Sequence, residues 1–181
     1  QVETPDEEMN TMLNCWHPYQ CKMTFNWSRF ISYYERGLGR GWGYRDSMQD
    51  VLGVIHSIPN DVKTRIKALL GIQYSKGDAR TVLFPGTGVS TGGGRSDDHI
   101  WGIFSVCSYI KETGDYAFLD EIVPYIDGGE ATVYEHLIQG LNFTREHVGE
   151  HGIPLFLLND WNDSLKFKDG KAESAFVFFQ A

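Results

Sequence analysis

Apolar residues recur along the chain at the three- and four-residue spacing of an amphipathic helix. Four sets of positions follow this spacing, and each set places its apolar side chains on one side of a helix. The sets are Met48-Val51-Leu52-Ile55, Val62-Ile66-Leu69-Leu70, Ile100-Ile103-Phe104-Cys107 and Val133-Leu137-Ile138-Leu141. A further helix is predicted over residues 26–35, and the apolar run at residues 173–181 has the character of a helix that is cut off. The pattern therefore predicts five or six helices.

Glycine-rich and proline-containing segments separate these helices, notably residues 37–43, 77–96 and 151–154. No segment alternates cleanly between apolar and polar residues, although short strands are compatible with residues 82–84 and 155–158. Helices joined by long loops that hold the polar and aromatic residues are typical of a scaffold that displays a site on one face. We expect an all-α chain, and an α/α toroid is one such scaffold.

Composition and charge narrow the choice of partners. The chain has 16 Lys plus Arg against 24 Asp plus Glu, a formal charge of −8, which is the wrong sign for neutralising nucleic acid phosphates. No run approaches the roughly 18 apolar residues of a membrane span. Three cysteines, an odd number without metal-binding spacing, favour reduced thiols. We expect a cytoplasmic protein that binds neither nucleic acid nor membranes.

Several residue types that carry chemistry elsewhere have ordinary interpretations here. The six histidines are spread singly, so we predict no metal site. Cys107 lies in an apolar helical stripe, which indicates a core residue, not a nucleophile. Asp97 and Asp98 follow Ser96 directly before an apolar stripe, and a helix cap is the favoured interpretation.

Residues 40–50 contain glycines, two arginines and an aspartate within a short segment. Glycines let the backbone approach a ligand, and Arg40, Arg45 and Asp46 offer the charged hydrogen bonds that sugar hydroxyls accept and donate. The alternative is a tight loop in which Asp46 caps the following helix and the arginines form surface ion pairs. Spacing by itself leaves both interpretations open.

A second cluster places two carboxylates around a tryptophan in the sequence Asn159-Asp160-Trp161-Asn162-Asp163. Glycoside chemistry uses such a combination, because a carboxylic acid must protonate the leaving oxygen while an aromatic ring packs on the sugar. An Asx-type turn explains the same residues without any chemistry.

The order of these motifs along the chain is specific to one family. The segments QCKMTFNWSR (20–29), YERGLGRGWGYRDSMQD (34–50), SDDHIW (96–101), HGIPL (151–155) and DWND (160–163) resemble the cellobiose and chitobiose phosphorylases of glycoside hydrolase family 94. The resemblance runs from about Asn14 to the end of the chain. It implies part of an (α/α)6 catalytic domain over residues 1–181, without the family's N-terminal β-sandwich and C-terminal β-domain.

The resemblance also implies a role for each matching residue. Asp163 is the expected general acid and Trp161 is expected to line the glucosyl subsite, whereas Asp160 is expected to be structural. Arg29, Arg40 and Asp46 match the residues that bind hydroxyls of the non-reducing sugar. Arg45, within the same motif, is assigned to structure.

The implied reaction is phosphorolysis of a β-linked glucosyl disaccharide or oligosaccharide, with inversion, to α-glucose 1-phosphate and a shortened sugar. It needs no cofactor, since inorganic phosphate is the co-substrate, and no second carboxylate, since phosphate is already an anionic nucleophile. The family's phosphate ligands lie beyond the equivalent of Ala181, so we expect a poorly active fragment. The resemblance implies homodimers, but the partner loop that completes the pocket lies outside this chain.

Two departures from the family pattern leave the acceptor sugar open, namely His99-Ile-Trp101 after the aspartate pair and residues 80–84 before the glycine-rich loop. Two alternative functions remain. One is a truncated, non-catalytic sugar-binding fragment, and the other is an inverting hydrolase on the same toroid, for which no carboxylate base is identified.

Overall fold

The computed structural model describes residues 1–28 and 41–181, which form helices joined by long loops and two small sheets. The helices are α1 (Glu7–Thr11), α2 (His17–Trp27), α3 (Tyr44–Asp50), α4 (Pro59–Leu70), α5 (Asp98–Thr113), α6 (Val133–Glu146) and α7 (Ala175–Gln180). A π-helical turn, Met12–Trp16, joins α1 to α2, and 3-10 turns follow at Val51–Gly53 and Tyr116–Asp120. The strands are β1 (Trp42–Gly43), β2 (Val82–Phe84), β3 (Val89–Thr91), β4 (Ile122–Pro124) and β5 (Glu130–Thr132).

Local sequence signals set the ends of the longer helices. Pro59 occupies the first turn of α4, where its missing N–H costs nothing. At the start of α6, the Thr132 side chain accepts from the Glu135 N–H while the Glu135 carboxylate accepts from the Thr132 N–H, which is a complete capping box. Gly114, at φ 71°, ends α5 and donates its N–H to the Ile110 carbonyl.

Helix α5 lies at the centre of the core, packed against α3, α4 and α6. The predicted stripe on α4 is confirmed, since Val62, Ile66 and Leu69 are fully buried. The stripe on α6 is confirmed in part, since Val133 and Leu137 are buried while Ile138 and Leu141 are only partly buried. These side chains supply the apolar burial that stabilises the helices, at roughly 1.5–3 kcal/mol for each large aliphatic side chain.

The stripe predicted on α5 is only partly right. Phe104 is 50% exposed and Cys107 is exposed, so the prediction that Cys107 is a core residue is wrong. The buried face instead includes Val106 and the small polar Ser105, whose hydroxyl donates to the Met48 carbonyl of α3 at 2.6 Å. Hydropathy alone does not predict this face, because the hydrogen bond of Ser105 offsets the cost of burying its hydroxyl group.

The expectation of an all-α chain needs correction, since two small antiparallel sheets are present. Strands β1, β2 and β3 pair in that order, with Trp42 opposite Leu83 and Val82 opposite Thr91, while β4 pairs with β5. The strand compatible with residues 82–84 is therefore confirmed. Within the described part of the chain, residues 155–158 pair with other segments only through single bridges, so they do not form a strand.

Other helix predictions have mixed outcomes. The first apolar set spans the end of α3 and the following 3-10 turn, and the run at residues 173–181 contains α7. The helix predicted over residues 26–35 lies mostly outside the described residues, and residues 26–27 end α2. Within the described ranges, no helix combines the length and apolar character needed to cross a bilayer.

Candidate active site

A cavity of about 290 Å³ opens between the start of α3, the three-stranded sheet, the start of α5 and the loop at residues 159–163. This volume is at the lower end of the range for small-molecule sites. The residues lining it are Gly41, Gly43, Tyr44, Arg45, Asp46, Thr81, Val82, Phe84, Thr91, Arg95, Asp98 and Asp163. Two guanidinium and three carboxyl groups thus meet around one space, a lining suited to a polyhydroxylated ligand.

Arg45 connects the three segments that build the cavity. Its Nη1 donates to both carboxylate oxygens of Asp97, at 3.2 and 3.3 Å, and to the backbone carbonyl of Asp160 at 2.8 Å. Its Nη2 donates to Oδ1 of Asp163 at 2.8 Å. The side chain is only 8% exposed, so these bonds form largely out of water. The expectation that Arg45 serves structure is consistent with this position, but Arg45 also contacts the predicted general acid.

Asp160 and its neighbours hold the loop that carries Asp163. Oδ1 of Asp160 accepts from the Asn162 N–H at 2.8 Å, which is the Asx-type turn, and Oδ2 accepts from the Ser174 hydroxyl at 2.6 Å. The loop also docks on the start of α5, where the Ser96 N–H donates to the Asn159 carbonyl at 3.0 Å. The geometry supports the structural role expected for Asp160.

Asp163 reaches into this cavity from an open position. Its side chain is 55% exposed, and besides Arg45 it faces Arg95, whose Nη1 lies 3.5 Å from the same oxygen, Oδ1. The described residues therefore leave the Asp163 side chain largely open to solvent.

Asp97 and Asp98 differ from the prediction of a simple helix cap. Asp97 occupies the N-cap position of α5, but its side chain makes no capping hydrogen bond. Its carboxylate is fully buried, pairs with Arg45 and accepts from the Trp101 indole N–H at 3.2 Å. Burial raises the pKa of Asp97, and the Arg45 charge opposes that rise. The Asp97 carboxylate thus forms an ion pair with Arg45 and does not cap the helix.

Asp98 is the most desolvated acid of the cavity. It is 1% exposed, and neither carboxylate oxygen has a hydrogen-bond partner among the described residues; the nearby Thr81 hydroxyl lacks the geometry of a bond. Burial, reinforced by the charge of Asp97, raises the pKa of Asp98 to about 8. Asp98 is therefore mostly protonated at neutral pH.

The structure brings some predicted site residues together and not others. Asp46, in the first turn of α3, lines the cavity with Asp163, and its carboxylate folds back against Gly43 at the helix N-terminus. Trp161 is 55% exposed and its ring centroid lies 6.5 Å from that of Phe176; it is not among the described residues that line the cavity. Arg29 and Arg40 lie outside the described residues.

Two residues that line the cavity, Arg95 and Asp98, were not predicted as site residues from the sequence pattern. The sequence does contain a signal for them, since Arg95 follows three consecutive glycines and lies just before the acidic pair. A cluster of charges after a glycine-rich loop points to a site as readily as to a cap. Spacing along the chain does not distinguish a site from a cap.

Comparison with known proteins decides the family. The chain matches the catalytic domain of the glycosyl hydrolase 94 superfamily over residues 1–181. The chain belongs to this superfamily. The resemblance stated from the motifs is thereby confirmed, and the cavity that holds Asp46 and Asp163 lies in its catalytic domain.

Several curated relatives of this glycosyl hydrolase 94 chain are phosphorylases. It is 38% identical to the N,N'-diacetylchitobiose phosphorylase of Vibrio furnissii, and the alignment covers 99% of this chain and 25% of that protein. It is 35% identical to the solabiose phosphorylase of Paenibacillus borealis, over 97% of this chain and 22% of that protein. It is also 32% identical to the cyclic beta-(1,2)-glucan synthase NdvB of Rhizobium meliloti, over 91% of this chain and 6% of that protein. The chain thus spans about a quarter of the first two relatives' length, or less.

Proposed function

We propose that this chain supplies the donor-sugar pocket and the general acid of an inverting β-glucoside phosphorylase. The substrates would be a β-linked glucosyl disaccharide or oligosaccharide and inorganic phosphate, and the products α-glucose 1-phosphate and a shortened sugar. The observation that carries the proposal is the convergence of Asp46 and Asp163 on one cavity with Arg45 and Arg95, in a chain related to disaccharide phosphorylases.

The proposed mechanism assigns the proton to Asp163. Protonated Asp163 donates to the glycosidic oxygen as the bond from that oxygen to the anomeric carbon breaks, and a phosphate oxygen forms the new bond from the opposite face. Asp163 is left as a carboxylate, which Arg45 and Arg95 stabilise in the position seen here. No base is required, because phosphate attacks as an anion.

Donor recognition is proposed to rest on Asp46 together with Arg29, Arg40 and Trp161. Asp46 is well placed for this role, since it lies in the cavity wall. We propose that Trp161, now largely exposed, packs on the sugar after the substrate enters, because an exposed indole gains most from covering the apolar face of a ring. The (α/α)6 toroid, the homodimer and the cytoplasmic location stay proposals as well.

The direct test is phosphate-dependent release of a sugar 1-phosphate. The protein would be incubated with cellobiose, laminaribiose, sophorose or N,N'-diacetylchitobiose, with and without inorganic phosphate. The last sugar is included because relatives at 38% identity are named for it. We expect Asp163→Asn to abolish release from the productive sugar, since an amide cannot donate the proton.

A matched control separates loss of the acid from a general disturbance of the loop. Asp169→Asn makes the same chemical change at an exposed position of the same segment, and we expect it to leave the rate unchanged. Release without phosphate, giving free sugar, would favour the hydrolase. Sugar binding without turnover by the folded wild-type protein would favour the non-catalytic binding fragment.

A further inference from the structure

The hydrogen bond and the shortest ion-pair contacts that Asp163 makes with the described residues involve one carboxylate oxygen. Arg45 and Arg95 both approach Oδ1, at 2.8 and 3.5 Å. Within the described part of the chain, no hydrogen bond reaches Oδ2. A carboxyl group held in this way keeps its proton on the other oxygen, because a guanidinium has only donors to offer. In the proposed mechanism, Oδ2 is therefore the oxygen that carries the proton.

Arg45 is in turn held by Asp97. The Asp97 side chain is fully buried, and its carboxylate also accepts a hydrogen bond from the Trp101 indole N–H at 3.2 Å, which restrains its position. Removing one partner of a buried pair leaves the other without compensation, so the position of Arg45 depends on Asp97. Asp97 does not line the cavity and is too deep to touch a substrate.

The charge of Asp97 also matters at Asp163. Arg45 interacts with two carboxylates at once, so part of its positive charge is balanced by Asp97 and only the remainder is available to Asp163. The other charged or titratable groups that face Asp163 across the cavity are Arg95, Asp46 and Asp98. Asp98 also interacts electrostatically with Arg45, but Asp97 is the buried carboxylate whose two oxygens accept hydrogen bonds from Arg45, so Asp97 balances the Arg45 charge most directly.

We propose that Asp97 is a positioning residue that acts through Arg45 to orient Asp163 and to set the pH range over which Asp163 holds its proton. This inference rests on the proposed function, in which Asp163 is the general acid. Asp97 thereby has a role in the reaction that is separate from any contact with sugar or phosphate.

The first test is Asp97→Asn, which keeps the shape of the side chain and removes its charge. Arg45 is then uncompensated, so the charged form of Asp163 is favoured. We expect the alkaline limb of the pH profile of kcat/KM for phosphorolysis to move to lower pH by about one unit. Asp97→Glu restores the charge one methylene further out and should move the limb back towards the wild-type position.

A second buried acid provides the matched control. Asp78 is 6% exposed and pairs with Lys76 at 3.4 Å, away from the cavity-lining residues. Asp78→Asn therefore reproduces the loss of a buried, paired carboxylate without touching Arg45. We expect the alkaline limb of Asp78→Asn to stay at the wild-type pH. An Asp97→Asn limb at the wild-type pH, even with a lower rate, would overturn the inference.

A measurement that needs no turnover distinguishes failure of this inference from failure of the proposed function. The side-chain carboxyl carbon of Asp163, assigned by its loss in Asp163→Asn, would be followed by NMR from pH 3 to 8 in the wild-type protein and in Asp97→Asn. A midpoint at lower pH in Asp97→Asn supports the inference even if no sugar phosphate is released. Coincident titration curves refute it whatever the activity.

Should Asp97→Asn fail to fold, Arg45→Lys tests the same link from the other partner. Lysine keeps the charge but has one ammonium group in place of a fork, so it cannot hold Asp97, the Asp160 carbonyl and Asp163 together. We expect kcat to fall at least about tenfold with KM for phosphate nearly unchanged. An unchanged kcat would contradict the positioning role.

Discussion

Replacing Asp98 by Asn should change how the free energy of unfolding depends on pH. Asp98→Asn replaces a buried carboxyl group by a neutral amide of nearly the same shape. In the folded chain, burial and the charge of Asp97 raise the pKa of Asp98 to about 8, against 3.8 for an exposed aspartate. Between these pH values the folded protein holds a proton that the unfolded chain has lost.

The sign of the effect follows from that difference in bound protons. Because the folded pKa lies above the unfolded one, the contribution of Asp98 to stability is highest below about pH 4 and declines as the pH rises through 8. Each pH unit in this window costs about 1.4 kcal/mol. From pH 5 to 8 the wild-type protein should therefore lose about 4 kcal/mol relative to Asp98→Asn.

Urea unfolding followed by circular dichroism at pH 5, 6, 7 and 8 would measure this difference. The amide of the variant is also buried, but its cost does not depend on pH and cancels from the slope. Asp120→Asn, at an exposed position, serves as the control, and we expect its difference from wild type to stay flat. An equally flat difference for Asp98→Asn would show that the Asp98 carboxyl is solvated or paired in the folded protein.

Three further substitutions test the core. Burial lowers the pKa of His99 to about 3, so we expect the wild-type advantage over His99→Asn to shrink by about 2 kcal/mol between pH 6.5 and 5, measured by urea unfolding, because only the unfolded chain gains a proton there. Arg65→Lys should cost about 1–3 kcal/mol in the same assay, since the buried guanidinium stacks on aromatic rings and lysine loses that plane; no loss would mean that the stacking is unimportant. Gly77→Ala should lower the melting temperature clearly more than Gly88→Ala, because both residues have positive φ but only at Gly77 would a Cβ run into the Gln139 carbonyl. Equal losses would refute this reasoning.

Much of the local structure was already determined by the sequence. The stripe of Val62, Ile66 and Leu69 and the proline at position 59 place α4 correctly, because helix formation and capping depend on neighbours within four residues. The order of the motifs was equally sufficient to identify the family, as the match over residues 1–181 confirms.

The outward face of α5 was not determined locally. Cys107 has the hydropathy of a core residue but is exposed, whereas Ser105 is polar but buried. Ser105 is buried because its hydroxyl finds the Met48 carbonyl on a different helix. Such a hydrogen bond offsets the cost of removing a polar group from water, and its partner lies 57 residues away.

The tertiary structure alone decided which residues of the candidate site contact each other. Nothing in the local spacing indicates that Arg45 reaches Asp97 and Asp163, which lie 52 and 118 residues further along the chain. The acidic pair before α5 has the sequence of a cap, yet folding gives Asp97 a buried guanidinium and leaves the Asp98 carboxyl without a hydrogen-bond partner among the described residues. Helix propensity and apolar periodicity depend on residues that are close together in the sequence. The charge state of a buried carboxyl depends instead on the segments that pack against it, wherever they lie in the chain.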